Sequence, residues 1–196
     1  MTATLPDNHA LKQVLRREGL ERRDGLDATW RATASREIAA RALALTVLDA
    51  DRAAGKVIAG YWPMRSEVDT RPLLEALSER GFSLALPRVI DPHLRFLRWH
   101  PGDALVRGSF GVEAPAADAE ELRPDILLLP LARFDAARNR IGYGKGHYDR
   151  AIARLTQEKP VHTIGLAFAA QSADKIPAEP HDVRLDTIVT ETGVIG

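Results

Sequence analysis

The run PDILLLP at residues 124–130 constrains the fold more than any other part of this sequence. Residues 126–129 are all apolar, without the alternation of apolar and polar residues that is typical of a strand with one face in water. Its length suits a strand, and a proline stands at each end. The run therefore predicts a strand in a parallel sheet that is covered on both faces.

Segments with strand and helix character alternate along most of the chain. Within this alternating part, two segments have helical character, at residues 70–81 and 147–155. Five more runs predict strands, at residues 56–62, 82–87, 94–99, 161–168 and 185–191. The run at 94–99 alternates, so it predicts a half-buried or edge strand. Such alternation of strands and helices is typical of α/β proteins with a mainly parallel sheet.

Two helices are predicted before the first strand. Leu11, Val14 and Leu15 form an apolar stripe at helical spacing, and Gly19 is a plausible helix stop. A second helix is predicted roughly over residues 27–54. We therefore expect an α/β three-layer sandwich with a mainly parallel sheet, preceded by two N-terminal helices. The length of 196 residues suits a single domain spanning residues 1–196.

The composition excludes several functional classes. Lysine plus arginine and aspartate plus glutamate are 27 each, which does not favour a nucleic-acid or membrane surface. The absence of cysteine excludes disulfides, thiolate metal sites and cysteine nucleophiles. No apolar leader or membrane-length apolar run occurs. We expect a cytoplasmic, monomeric protein that binds small molecules and neither nucleic acid nor membrane.

The segment RIGYGKGHYDR at residues 140–150 carries the clearest chemistry. Alternating glycines can turn several backbone N–H groups toward one anion, and the start of a helix near His147 adds its positive dipole end. Lys145 would add a full charge, and Asp149 suits Mg²⁺ beside phosphates. The same pattern also fits an ordinary glycine-rich turn in which Asp149 favours the first helical turn. The spacing matches neither a P-loop nor a dinucleotide-binding fingerprint.

Five segments in the same order resemble the 5-formyltetrahydrofolate cyclo-ligase family, also called methenyltetrahydrofolate synthetase. They are LKQVLR, YWPMRSEVDT, SFGVEAP, PLARFDAARNRIGYGKGHYDR and EPHDVRLDTIVTE. The resemblance implies the α/β sandwich of the NagB/RpiA/CoA-transferase group. It also implies ATP- and Mg²⁺-dependent conversion of 5-formyltetrahydrofolate to 5,10-methenyltetrahydrofolate, with release of ADP and phosphate. This chemistry needs positioning and charge neutralisation more than a protein nucleophile.

The resemblance also implies roles for individual residues. Lys145 and Arg140 are expected to act in catalysis. The family's nucleotide contacts fall on Lys12, Gln13, Val14, Leu15, Arg16, Arg140, Ile141, Gly142, Tyr143, Gly144, Lys145, Gly146, His147 and Tyr148. Without the family, Lys12 and Arg16 read as a solvated basic face, and that interpretation is kept for Arg17, Arg22 and Arg23.

The metal and folate positions follow in the same way. Asp149 and Asp182 match the family's magnesium carboxylates, with Asp186 as a nearby alternative for Asp182. Trp62, Glu67, Tyr143 and His147 are expected to contact the folate, and Phe110 could close over it. A carboxylate such as Glu67 can accept two parallel hydrogen bonds from the pterin ring. On local pattern alone, Asp182 could cap a turn, Glu67 could be a surface residue and Trp62 a core residue.

His147 departs from the family, which usually has an aromatic residue there. We interpret His147 as a contact residue rather than a general base, because a phenylalanine in its place cannot carry protons. Two other hypotheses remain open from the sequence. One is a folate- or nucleotide-binding protein on the same scaffold without turnover, and the other is an ATP-dependent enzyme acting on a different small carbonyl compound.

Overall fold

A mixed sheet of seven strands forms the centre of the protein. The structure is a computed structural model, and it describes residues 8–90, 93–108, 111–179 and 182–196. The sheet contains β1 (Val57–Ala59), β2 (Ser83–Ile90), β3 (His93–Arg98), β6 (Ile126–Pro130), β9 (His162–Leu166), β10 (Thr187–Val189) and β11 (Val194–Ile195). Its order is β11-β10-β9-β6-β1-β2-β3. The five inner strands are parallel, and both edge strands are antiparallel to their neighbours.

Strand β6 lies in the middle of this order, and its side chains alternate between two cores. Ile126 and Leu128 pack with the helices on one face of the sheet, whereas Leu127 and Leu129 pack with the helix on the other. All four are buried. The prediction of a fully covered parallel strand is confirmed, because both faces of an uninterrupted apolar run must leave water.

Helices on both faces complete the three layers. The described residues form α1 (Asn8–Asp24), α2 (Ala28–Leu43), α3 (Arg71–Glu79) and α4 (His147–Thr156). Helices α2 and α3 cover one face and α4 covers the other. None of the helices in these ranges is long and apolar enough to cross a bilayer. The predicted three-layer α/β sandwich is confirmed.

Two short antiparallel pairs lie outside the central sheet. Strands β4 (Val106–Arg107) and β5 (Glu113–Ala114) form one pair, and β7 (Arg133–Phe134) and β8 (Arg140–Ile141) form the other. The sequence analysis predicted neither pair, nor the edge strand β11. Each of these five strands has two residues, which is too short for a recognisable periodic pattern. Strand β3 was predicted as a half-buried or edge strand, and it lies at the edge of the sheet.

The predicted end of α2 is wrong. The helix begins after Asp27, whose side chain accepts a hydrogen bond from the Trp30 N–H, but it ends at Leu43 and not near residue 54. Two 3₁₀ turns follow, and they bring Leu48 into the core. Arg80 donates to the carbonyl oxygens of Leu43 and Leu48 at 2.7 and 2.8 Å, so a distant side chain caps this end.

Helix α1 differs more strongly from expectation. Gly19 does not stop it, and the predicted apolar stripe is not its buried side, because Leu11 and Val14 are more than one third exposed. The buried residues are instead Lys12, Gly19 and Arg23. A Cβ atom at position 19 would overlap the Ala132 carbonyl oxygen and lie 2.9 Å from Cδ of Arg133. Glycine therefore allows α1 to lie directly against the chain around β7.

We predict that Gly19→Ala destabilises the protein, although alanine is the better helix former. The overlap with the Ala132 carbonyl should lower the free energy of unfolding by about 1–3 kcal/mol, the usual effect of overpacking. Urea unfolding followed by circular dichroism measures this change. Gly193→Ala is the matched control, because no atom lies within 4 Å of its added Cβ. Equal stability of the two variants would contradict the proposed contact.

Candidate active site

The predicted site residues converge at the carboxyl ends of the parallel strands. The loop after β1 carries Trp62 and Glu67, and the chain after β6 continues into the β7–β8 pair and then the glycine loop (residues 142–146). Helix α1 lies across these strand ends. It contacts β7, β8 and the 3₁₀ turn Ala169–Gln171 that follows β9. Ligand sites of open α/β sheets gather at this end of the strands.

A buried aspartate shapes the turn that leads into the glycine loop. Asp135 accepts hydrogen bonds from the Asn139 N–H and side-chain amide, both at 2.9 Å, and from the Ile176 N–H at 2.9 Å. These bonds hold a turn in which Arg138 adopts a left-handed backbone with φ 66°. Strand β8 and the glycine loop therefore start from a fixed position.

The glycine loop has the backbone predicted for an anion site. Gly144 and Gly146 have φ values of 88° and 63°, a region that side chains with a Cβ rarely occupy. Within the described residues, the N–H groups of Gly142, Gly144 and Gly146 donate to no other group. Gly146 directly precedes α4, whose positive dipole end points toward the loop. Backbone donors and a helix start therefore meet at one place.

Two cations of α1 reach this region, as their spacing predicts. Arg16 donates from Nε to the Gly142 carbonyl oxygen at 2.8 Å, and its guanidinium lies over Gly144. Lys12 forms ion pairs of 2.5 Å with both Glu179 and Asp182. Burial disfavours the charged lysine, but hydrogen bonds to the two carboxylates outweigh it and raise the pKa of Lys12. Lys12 is therefore a buried group that is charged near neutral pH.

Arg140 and Asp149 form a second cation–carboxylate pair. Arg140 Nη2 donates to Asp149 Oδ1 at 2.6 Å, and the arginine side chain is only 6% exposed. Its Nε is buried and has no hydrogen-bond partner among the described residues. A buried guanidinium with a spare donor is suited to an anion. Lys145 is exposed in the loop, and His147 accepts at Nδ1 from Arg150 at 3.1 Å.

The predicted folate residue Glu67 is joined directly to the glycine loop. The Tyr143 hydroxyl donates to Glu67 Oε1 at 2.5 Å, and the Met64 N–H donates to Oε2 at 2.8 Å. Arg23 donates to the Tyr143 hydroxyl at 2.9 Å and lies 3.9 Å from Glu67. The Glu67 side chain is 2% exposed, so it is a buried carboxylate and not a surface residue.

Burial controls the protonation of this pair. Desolvation raises the pKa of Glu67, although hydrogen bonds from Tyr143 and Met64 and the charge of Arg23 partly oppose the change. Desolvation and the nearby Glu67 charge raise the pKa of the Tyr143 hydroxyl as well. The Tyr143 hydroxyl therefore stays protonated near neutral pH and donates to Glu67. Glu67 keeps lone pairs that a ligand with parallel N–H donors could use.

Trp62 stands beside Glu67 at one wall of a cavity of about 240 Å³. Its ring meets Trp99 edge-on with centroids 5.8 Å apart, and the Arg71 guanidinium lies 5.8 Å from its centroid. Trp62 is half-buried and packs against the core as well as lining the cavity. The core interpretation of this tryptophan is therefore confirmed in part, and its contact with the folate stays a prediction.

Several predicted residues do not reach the loop. Gln13 is exposed and hydrogen-bonds to His9 at 2.8 Å, and Val14 faces solvent on the same turn of α1. Asp186 lies at the other end of the parallel strands, just before β10. Its side chain accepts a hydrogen bond from the Thr163 N–H at 2.8 Å. It cannot replace Asp182 beside the glycine loop. Phe110 lies outside the described residues.

The remaining predicted nucleotide contacts lie in α1, β8 and α4, outside the glycine loop. Leu15 and Tyr148 are half-buried, and Ile141 is fully buried. In the described ranges, no group of three or more His, Cys, Asp or Glu residues gathers as a metal site. Among the described residues, Lys12 lies between Glu179 and Asp182, and Arg140 pairs with Asp149.

The sequence interpretation missed two residues of this region, Arg23 and Glu179. Arg23 was assigned to a solvated face, but it is 2% exposed and bonds Ser66 as well as Tyr143. A signal was present, because positions 12, 16, 19 and 23 recur at helical spacing and form the inward side of α1. Glu179 meets Lys12 across 167 residues, and no local pattern indicates that contact.

Comparison with known proteins supplies an independent assignment. A sequence profile of the 5-formyltetrahydrofolate cyclo-ligase family matches residues 8–191. The 5-formyltetrahydrofolate cyclo-ligase of Escherichia coli (strain K12) is 33% identical over 145 residues, which cover 70% of this chain and 79% of that protein. The protein of the same name from Haemophilus influenzae is 31% identical over 190 residues, covering 93% and 98% of the two chains.

Solved structures agree with the sequence relatives. The NMR structure of the 5,10-methenyltetrahydrofolate synthetase of Aquifex aeolicus has a TM-score of 0.78 at 29% identity, covering 94% of this chain and 91% of that one. The synthetase of Mycoplasma pneumoniae has a TM-score of 0.72 at 26% identity, covering 92% and 98%. The profile and the relatives span most of the sequence, and the chain therefore belongs to the 5-formyltetrahydrofolate cyclo-ligase family.

Proposed function

We propose that the protein converts 5-formyltetrahydrofolate to 5,10-methenyltetrahydrofolate with ATP and Mg²⁺, releasing ADP and phosphate. The observation that carries the proposal is the 2.5 Å hydrogen bond between Tyr143 of the glycine loop and Glu67. It joins the glycine loop, which is the proposed anion cradle, to a buried carboxylate, which is the proposed acceptor for a heteroaromatic ring. A reaction that transfers phosphate from a nucleotide to a bound ring compound needs this juxtaposition.

In the proposed reaction, the formyl oxygen on N5 attacks the γ-phosphorus of ATP, and ADP leaves. N10 then attacks the activated formyl carbon, loses its proton, and phosphate departs as the five-membered ring closes. The oxygen of the formyl group thus leaves within the phosphate. The protein need not supply a nucleophile for either step.

Phosphate stabilisation is assigned to the loop and its cations. The N–H groups of the glycine loop, together with Arg16, Arg140 and Lys145, would surround the transferred phosphoryl group. Preorganised donors of this kind stabilise charge that develops in the transition state. The spare Nε donor of buried Arg140 supports this role.

The donor chemistry of Asp149 and Asp182 fits Mg²⁺. Mg²⁺ commonly takes one or two carboxylates together with phosphate oxygens, so a third protein ligand is unnecessary. Both carboxylates are about one quarter exposed and lie beside cations that could pair with phosphates instead. When bound, Mg²⁺ would neutralise phosphate charge. Asp149 and Asp182 would hold it next to the loop.

On the folate side, Glu67 would bind the pterin and Trp62 would line its ring. A pterin presents a 2-amino group beside a ring N–H, two parallel donors that a carboxylate can accept. Following the absorbance of methenyltetrahydrofolate with purified protein, 5-formyltetrahydrofolate and MgATP tests the whole proposal. Product that forms only when ATP is present is expected. Binding of both ligands without product would reject the proposed turnover.

Lys145→Ala should reduce ATP-dependent turnover by about 10²-fold or more, because it removes one charge from the proposed phosphate cradle. The fold should persist, since Lys145 is exposed. Steady-state kcat/KM for ATP and the unfolding transition measure the two effects. Lys56→Ala is the matched control, an exposed lysine at the other end of the parallel strands. A variant with wild-type kcat/KM would contradict the role of Lys145.

Asp149→Asn should shift the Mg²⁺ activation curve to higher concentration more than it changes folate affinity. The substitution removes charge while keeping shape and an acceptor for Arg140. Rates across a Mg²⁺ titration measure the shift, and Asp182→Asn should shift the curve in the same direction. Asp186→Asn serves as the control at the other end of the parallel strands. Identical curves for Asp149→Asn and wild type would leave Asp149 as a helix-end residue.

Glu67→Gln should raise the KM for the folate or lower kcat while leaving the KM for ATP unchanged. A glutamine side chain cannot accept two parallel hydrogen bonds through two oxygens. Tyr143→Phe provides a comparison, since it keeps Glu67 but removes the hydroxyl that donates to Glu67 and accepts from Arg23. The comparison separates loss of the acceptor from loosening of the loop. A Glu67→Gln effect confined to ATP would place this residue on the nucleotide side.

A further inference from the structure

The cavity beside Glu67 lies between the first turns of α2 and the loop after β1. Trp62, Pro63 and the small side chains of Ala28 and Ala32 provide apolar wall. Three arginines and two carboxylates supply its charged groups. The proposed folate contacts include Trp62 and Glu67, but none of the three arginines has a role in them.

Charge is distributed unevenly along this cavity. Glu67 is almost fully buried and therefore lies at the deep end. Arg65 is exposed and the Arg71 side chain is 53% exposed, so these cations stand at the mouth. A ligand that enters the cavity would meet a buried acceptor at one end and arginines at the other.

Two of the three arginines lack a compensating carboxylate. Arg71 is held by Asp69 through hydrogen bonds of 2.8 and 2.7 Å. Arg31 donates to the Leu26 carbonyl oxygen, and among the described residues neither Arg31 nor Arg65 has a carboxylate within 4.0 Å. Arg65 is thus an uncompensated cation at the mouth of the cavity and Arg31 is another in its lining, and such cations attract anionic ligands.

The turn that presents Arg65 is fixed by Glu67 itself. Arg65 has φ 52°, an uncommon left-handed backbone for a residue with a side chain. Two hydrogen bonds between Glu67 and Met64 close the turn around it. The Glu67 N–H donates to the Met64 carbonyl oxygen at 3.0 Å, and the Met64 N–H donates to Glu67 Oε2. The deep acceptor and the cation at the mouth therefore belong to one rigid unit.

We infer that this cavity is the subsite for the acidic tail of the folate, with Arg31 and Arg65 pairing with the carboxylates of its glutamate. The inference rests on the proposed function, which places the pterin against Glu67. A reduced folate has parallel N–H donors at one end, an aromatic ring in the middle and carboxylates at the other end. This order matches the acceptor, the apolar wall with Trp62 and the arginines.

Equilibrium binding with two ligands tests the subsite. Titration calorimetry would compare 5-formyltetrahydrofolate with 5-formyltetrahydropteroate, which lacks the glutamate. Wild type should bind the glutamylated compound about tenfold or more tightly, the effect expected of a charge-assisted pair. The preference should decrease as NaCl is raised, because the cations at the mouth are screened.

The variants remove charge while preserving structure. Arg65→Asn retains a residue that tolerates left-handed backbone, and Arg31→Gln retains a donor for the Leu26 carbonyl. The double variant should lose the preference for the glutamylated ligand and bind the pteroate as wild type does. Arg36→Gln is the control, since Arg36 is exposed on the same helix and does not line the cavity.

The outcomes distinguish a failure of the proposed subsite from a failure of the proposed function. A preference that survives in the double variant would overturn the subsite while leaving turnover, and hence the proposed function, intact. A preference that disappears supports the subsite, even where wild type binds both ligands without forming product. Wild type that binds neither ligand and forms no product would reject both claims.

Discussion

The active-site region depends on one buried carboxylate, that of Glu67, and on what holds it. Tyr143 donates to one oxygen, the Met64 N–H donates to the other, and Arg23 supplies positive charge at 3.9 Å. A buried carboxylate without such partners would be unstable or would take up a proton. These partners come from the glycine loop, the β1 loop and α1. Satisfying this single charge therefore brings the proposed phosphate and folate sides into contact.

Helix α1 makes this arrangement possible by burying its polar side. A helix on the surface of a domain normally buries an apolar stripe, whereas α1 turns Lys12, Gly19 and Arg23 inward and leaves Leu11 exposed. The hydrophobic effect alone does not favour that orientation. The close contact at Gly19 and the bonds from Arg23 to Ser66 and Tyr143 stabilise it instead. The contacts of Gly19 and Arg23 with the candidate site thus determine the orientation of α1.

The sequence predicted the elements whose burial leaves an apolar pattern, and it did not predict the buried polar side of α1. The apolar run of β6 was predicted because burial on both faces leaves a local pattern. The glycine loop was predicted because positive φ favours glycine, as found at Gly144 and Gly146. The inward side of α1 was missed because polar side chains indicate burial only once their partners are known. The contact between Lys12 and Asp182 spans 170 residues, which no local pattern encodes.

The ion pairs that Lys12 and Arg140 form near the glycine loop have a common explanation if the proposed function is correct. Lys12 and Arg140 have side chains only 11% and 6% exposed, so leaving either without a counter-charge would cost several kcal/mol. In the protein alone, Asp182 and Glu179 provide that counter-charge for Lys12, and Asp149 provides it for Arg140. ATP and Mg²⁺ together offer each member a new partner, phosphate oxygens for the cations and the metal for the carboxylates. The exchange keeps every buried charge compensated, so a site for a polyanion can stay folded before its ligands arrive.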